Sequence, residues 1–120
     1  MNDILSNMQD SYSKDTCHHS YQHLWSAENP SAGHCAIASL LLAKYCGYDV
    51  YKVKVGKGTH YYNVNKDGII IDATSNQFPF AIDYSNGVKC SIKSMLRVAD
   101  TVMRMSLLEE RAMLQKKKFQ

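Results

Sequence analysis

The chain has 120 residues, 14 Lys plus Arg against 11 Asp plus Glu, four cysteines and 45% hydrophobic residues, a size that predicts one domain, 1–120, able to close a core without metals or disulfides. A formal charge of +3 is too weak for a nucleic-acid footprint, and the basic run Lys116-Lys117-Lys118 reads as a solvated helix end. Met1-Asn2-Asp3-Ile4 lacks the cationic start of a signal peptide, and the apolar-rich run 35–42 is far shorter than the roughly 20 residues of a membrane span, so a cytoplasmic chain with reduced thiols and no membrane or nucleic-acid partner is expected.

Ile4, Leu5, Met8 and Tyr12 allow a short first helix in an otherwise polar opening. A turn-rich stretch from Ser26 to Gly33, carrying Pro30, leads into the segment 35–46, rich in Ala and Leu and followed by Gly47, the residue suited to a left-handed helix stop. Ser39 and Lys44 alone break its apolar circumference, which predicts a central buried helix. Period-two alternation of Tyr51, Val53 and Val55 with Lys52 and Lys54 predicts a strand with one wet face. Two further strand-like runs, 59–64 and 69–74, flank Asn65-Lys66-Asp67-Gly68, a hairpin loop with Gly68 at the positive-φ position. Ile92, Met95, Leu96, Ala99, Val102, Met103 and Leu107 form a helical stripe capped by Ser91, predicting one long helix over 91–114. Such a helix would span roughly 36 Å. The expected radius of gyration is only about 14 Å, so part of the helix would project. Its methionines suit either core or an adaptable partner surface.

Cys35 stands at the opening of the buried helix, where unpaired backbone N–H groups and the helix dipole favour a thiolate. His60 opens a strand after Gly56-Lys57-Gly58, and Asp72 ends the partner strand. A three-residue loop, Lys66 to Gly68, pairs Asn65 with Ile69, sets Tyr62 opposite Asp72 and makes His60 the diagonal neighbour of Asp72 on one face. A slip of one residue would separate them. Helix cysteine, strand histidine and adjacent carboxylate then take the roles of nucleophile, base and orienter.

The blocks Trp25 to Ala36, His60-Tyr61-Tyr62-Asn63 and Asp72-Ala73-Thr74-Ser75-Asn76-Gln77-Phe78 resemble the YunG-like family of small bacterial proteins. That family is in turn similar to papain-like and transglutaminase-like cysteine enzymes in its helix-then-sheet order. The resemblance covers roughly Tyr12 to Phe80. It implies an α+β papain-like fold and aligns Cys35, His60 and Asp72 with presumed catalytic positions, with Asn63 and Gln77 on recurring polar ones. His34 stands where the family has Gln before the cysteine. Papain-like enzymes place a glutamine upstream of their cysteine, so Gln22 and Asn29 are side-chain candidates for the oxyanion, beside the Cys35 N–H. Trp25, His34 and Gln77 complete the cleft candidates.

The cluster Cys17-His18-His19, His23, His34 and Cys35 has ligand chemistry for zinc. It lacks the spacing of a standard site, and no metal or other cofactor is assigned. Cys46 lies roughly 16 Å along the helix from Cys35, too far for a disulfide; Cys46 and Cys90 read as packing. The expected function is a cysteine hydrolase or acyl-transfer enzyme of the peptidase, isopeptidase or amidase type, acting on a peptide, protein or amide. The alternative is a non-catalytic binding or inhibitory module whose C-terminal helix and methionines meet a protein partner or a second copy.

Overall fold

The structure, a computed structural model, describes residues 2–114, so the basic run at Lys116 to Lys118 lies outside the described residues. The fold is mixed α+β: helices against a four-stranded antiparallel sheet of order β3-β2-β1-β4. The radius of gyration is 13.3 Å. Among the described residues no helix is long and apolar enough to cross a membrane.

Helix α1, Asn2–Ser11, buries Met8 and brings Ile4 and Leu5 against the core. Gln9 Nε2 and the Tyr12 hydroxyl both donate to the Ala73 carbonyl, at 3.1 and 3.4 Å, which ties this end of the chain to the segment after β3. A 3-10 turn over His19–Leu24 follows, opened by the His18 ring accepting the Ser20 N–H. The entry to the next helix depends on Gly33. Its φ is +73°, and a Cβ there would fall 2.4 Å from the Cys17 sulfur and 3.1 Å from the His18 nitrogen. No other residue fits both the backbone angle and the space.

Helix α2, Cys35–Cys46, is the central helix the sequence predicts, with Ile37 to Leu42 all buried and the chain turned at Gly47 in the left-handed region, φ +73°. It packs on the sheet on one side and on the C-terminal helix on the other. Asn63 fixes its position on the sheet, since the buried Nδ2 donates to the Ser39 carbonyl at 2.9 Å and to the Asp49 carbonyl at 3.2 Å. A polar residue that the sequence marks only as recurring in a family thus fastens helix to strand.

Strands β1, Asp49–Val55, and β2, Gly58–Val64, form the main hairpin, with Lys52 and Lys54 on the wet face as the alternation requires. Asn63 pairs with Ile71 and Val64 with Ile70, and the Asn65 N–H donates to the Ile69 carbonyl, so the hairpin register is the one the three-residue loop dictates. Gly68 sits at φ +79°. The third strand is far shorter than the apolar run 69–74: β3 is Ile70–Ile71, with Ile69 57% exposed, because Asp72 turns inward to polar partners and ends the pairing. A fourth strand, β4, Val88–Lys89, pairs with the other edge of β1 and has no clear signature in the sequence.

The single helix over 91–114 is corrected. Ser91 does cap a helix, its hydroxyl accepting the Ser94 N–H, but that helix, α3, is only Ile92–Met95; the chain breaks at 96–98 and restarts as α4, Ala99–Arg111. The predicted inner stripe is also displaced. Val102 and Met103 are exposed, while Thr101, Arg104, Leu108, Glu109 and Ala112 face inward. Polar groups on that face are compensated there: Arg104 by Asp100 and the Thr16 carbonyl, Glu109 by Lys44 and Tyr45 of α2. Burial and the Glu109 carboxylate push the Tyr45 phenol up to about 12. Apolar counting misplaces such a face, because satisfied polar residues can be buried as well as Leu.

Candidate active site

Cys35 is the first residue of α2, half-buried, with the first helix amide bond formed by the Ala38 N–H to the His34 carbonyl at 2.9 Å. His34 supplies no side-chain cap. The amides of the first turn therefore remain available to an anion beside the thiol.

His60 is buried on β2, and the hairpin register sets Asp72 diagonally across from it. His60 Nε2 lies 2.6 Å from Asp72 Oδ2. That oxygen also accepts the Tyr84 hydroxyl at 2.7 Å, and Oδ1 accepts the Thr74 N–H at 3.1 Å, so the carboxylate has three donors and 5% side-chain exposure. Phe78 meets the imidazole edge-on at 5.1 Å and Tyr62 stacks beside it at 6.4 Å. Burial, the largest influence, opposes a charge on this ring; the bond to Asp72, the nearness of the Cys35 sulfur and the charges of both groups outweigh it and carry the pKa up to about 9. The buried Nδ1 has no hydrogen-bond partner among the described residues. Asp72 holds Nε2, which leaves Nδ1 as the atom that can exchange a proton with a thiol.

Two cavities meet at Cys35. The smaller, about 170 Å³, is lined by Cys35, His60, Gln77 and Phe78; the larger, about 340 Å³, by Cys35, Ala36, Tyr61, His18 and Arg104. Tyr21, Gly33 and Thr59 border both.

Cys35, His60, Asp72 and Gln77 thus gather around one cleft, Gln77 with its amide donating to the Thr74 carbonyl and hydroxyl, both at 3.1 Å. The other cleft candidates are placed elsewhere. His34 is a core residue: fully buried, stacked on Tyr12 at 4.5 Å, with Nδ1 on the Ala32 carbonyl at 2.9 Å and Nε2 on the Thr16 hydroxyl at 2.6 Å. Burial lowers its pKa to about 4, so it stays neutral. Gln22 donates its amide to the Lys14 carbonyl at 3.0 Å, Trp25 closes its own turn by donating Nε1 to the Pro30 carbonyl at 3.0 Å, and Asn29 belongs to the same turn through Ser26; none of the three lines either cavity.

The proposed zinc cluster does not assemble as a unit. The group of His, Cys, Asp and Glu side chains close enough to share an ion is His18, His19 and Asp100, among the described residues, and Arg104 already bonds Asp100. All four cysteines are free thiols. Sequence reasoning missed Tyr84, which bonds Asp72 behind the histidine, and Arg104, which lines the larger cavity. Nothing local marks Tyr84, and Arg104 shares the inward spacing of Thr101, Leu108 and Ala112, a face that an apolar count does not find.

The fold and site define a small α+β protein with a cysteine at a helix start facing a buried, carboxylate-held histidine. The chain belongs to the YunG family, whose model, described as YunG protein, matches residues 1–116. It is 34% identical over 62 residues to "Uncharacterized protein YunG" of Bacillus subtilis (strain 168), a match covering 52% of this chain and 53% of that one. The chain thus spans about half the length of that relative. No solved structure matches.

Proposed function

We propose that the chain is a cysteine hydrolase or acyl-transfer enzyme with a papain-like helix-then-sheet arrangement. The observation that carries this reading is His60: buried, bonded through Nε2 to Asp72, with its unpartnered Nδ1 in the cleft that Cys35 lines. The protonated His60 ring carries on Nδ1 the proton that Cys35 gives up, and the sulfur adds to an amide or ester carbonyl. The oxyanion is held by the first-turn amides of α2, which takes over the role expected of Gln22 or Asn29. The imidazolium, stabilised by Asp72, returns its proton to the leaving amine or alcohol as the carbon–heteroatom bond breaks, leaving a thioester on Cys35. Water or a second amine then takes the acyl group and regenerates the thiol. Hydrolysis and transfer share every residue up to that last step.

In iodoacetamide labelling of the native chain at pH 6, Cys35 is expected to react on the order of 100-fold faster than Cys46 or Cys90, the low end of what a positioned base contributes. His60→Ala should remove the excess. Mass spectrometry of the labelled peptides reads both, and reactivity at Cys35 equal to that of the other two thiols would refute the proposal.

A second reading, the protein-binding or inhibitory module, is favoured by one feature of α4: Val102 and Met103 stand exposed at 38% and 64%. On that reading Met103→Asp removes the biological effect while Cys35→Ala preserves it, and a complementation assay with both variants decides between the two.

A further inference from the structure

The larger cavity has a wall that Cys35, His60 and Asp72 leave unexplained. α4 sets Arg104 against it at 4% exposure, with His18 and Thr101 alongside. The guanidinium is held firmly: Nε donates to Asp100 Oδ2 at 2.8 Å and Nη1 to the Thr16 carbonyl at 3.2 Å. Nη2 makes no hydrogen bond with the described residues, so its N–H groups and the second one on Nη1 are donors to spare. His18 adds another. Its Nδ1 accepts the Ser20 N–H at 3.1 Å, which leaves the ring proton on Nε2. None of the described residues lining this cavity is acidic. Asp100, whose side chain is 44% exposed, faces the guanidinium through Nε alone.

The two cavities have different chemical duties. The leaving group must take its proton from His60, which lines the smaller cavity and not the larger one. The acyl portion of a substrate on Cys35 therefore extends past Ala36 into the larger cavity, toward Arg104. A planar guanidinium with unused N–H groups in a partly enclosed site suits a carboxylate, through short charge-assisted bonds. We propose that this cavity is an acyl-side subsite for a carboxylate, so that the acyl donor is an acidic molecule whose anion is held by Arg104. This rests on the acyl-transfer reading above and narrows its substrate class.

The test compares two thiol reagents of one reactive type on the full chain: 3-maleimidopropionic acid, which carries a carboxylate, and N-ethylmaleimide, which is neutral. The measured quantity is the ratio of their rates at Cys35, so a general change in thiol reactivity cancels. Arg104→Gln is expected to lower the acid-to-neutral ratio about tenfold, the loss of one charge-assisted hydrogen bond. Arg104→Lys should retain part of the preference, and Asp100→Asn, which frees the guanidinium from its competing carboxylate, should raise it. The difference should survive about 0.5 M salt, where the field of a distant charge is screened out. A ratio that neither Arg104→Gln nor Asp100→Asn changes, with the iodoacetamide excess at Cys35 intact, overturns the subsite alone. Absence of that excess in the unaltered chain overturns the acyl-transfer reading and this inference with it.

Discussion

Asp72→Ala is expected to lower the unfolding free energy by about 3–5 kcal/mol, the range for removing one partner of a buried ion pair. The change strands three donors at once: His60 Nε2, the Tyr84 hydroxyl and the Thr74 N–H. With 5% side-chain exposure at Asp72, water has little access to replace the carboxylate. Domains of this kind hold only about 5–15 kcal/mol in total, so the variant should be close to its limit. Asp72→Asn keeps the shape and an accepting oxygen and should lose less. Urea denaturation of the three proteins, followed by fluorescence, measures the differences. A loss below about 1 kcal/mol for Asp72→Ala would mean that the cluster is far wetter than its burial indicates.

The second large effect is a dependence of stability on pH that falls on the alkaline side of neutrality. His60 has a folded pKa of about 9 against an ordinary value of 6.5, so the folded state holds a proton that the unfolded chain releases. Its contribution is complete below pH 6.5 and disappears as the pH climbs through 9. The slope in that window reaches at most one proton, about 1.4 kcal/mol per pH unit. His34 works in the opposite direction. Its pKa is lowered from 6.5 to about 4, so its contribution is present above 6.5 and is lost as the pH falls through 4. The thiols of Cys17, Cys46 and Cys90, raised from 9.0 chiefly by burial, weaken the fold as the pH passes through 9, at the upper edge of the His60 window, and do so equally in the Asp72 variant. Stability should therefore peak near pH 6.5 and decline toward pH 9. In Asp72→Asn, which lacks the carboxylate whose hydrogen bond, and to a lesser degree whose charge, lifts His60, the decline should flatten. Urea midpoints across pH 5 to 9.5 for both proteins follow the effect, and parallel curves above pH 6.5 would contradict the assignment to His60.

Legibility of this fold in its sequence follows the range of the forces involved. Helix α2 was readable because burial on most sides leaves an apolar segment broken only by Ser39 and Lys44, with a glycine near each end. The hairpin register was readable because a short loop is a local constraint, and that register brings His60 beside Asp72. The inner face of α4 was not, since its burial depends on Lys44, Tyr45, Asp100 and the Thr16 carbonyl, partners that no local pattern announces. His34 misled for a related reason. A histidine next to the cysteine invites a role in the cleft, but α2 begins between the two residues and sends their side chains apart, one to Thr16 and Ala32 and the other to the cavities.

Gly33 has a mechanical consequence for the two thiols on either side of it. The Cys17 sulfur sits where a side chain at position 33 would begin, with no room for even a methyl group. It is sealed at 1% exposure behind the same short loop that delivers Cys35 to the open cleft. Bulk added at position 33, two residues ahead of the first turn of α2, would press on the Cys17 sulfur and on the His18 backbone. The sealed thiol thus fills the space that only a glycine at position 33 leaves behind the entry to α2, two residues before the open thiol.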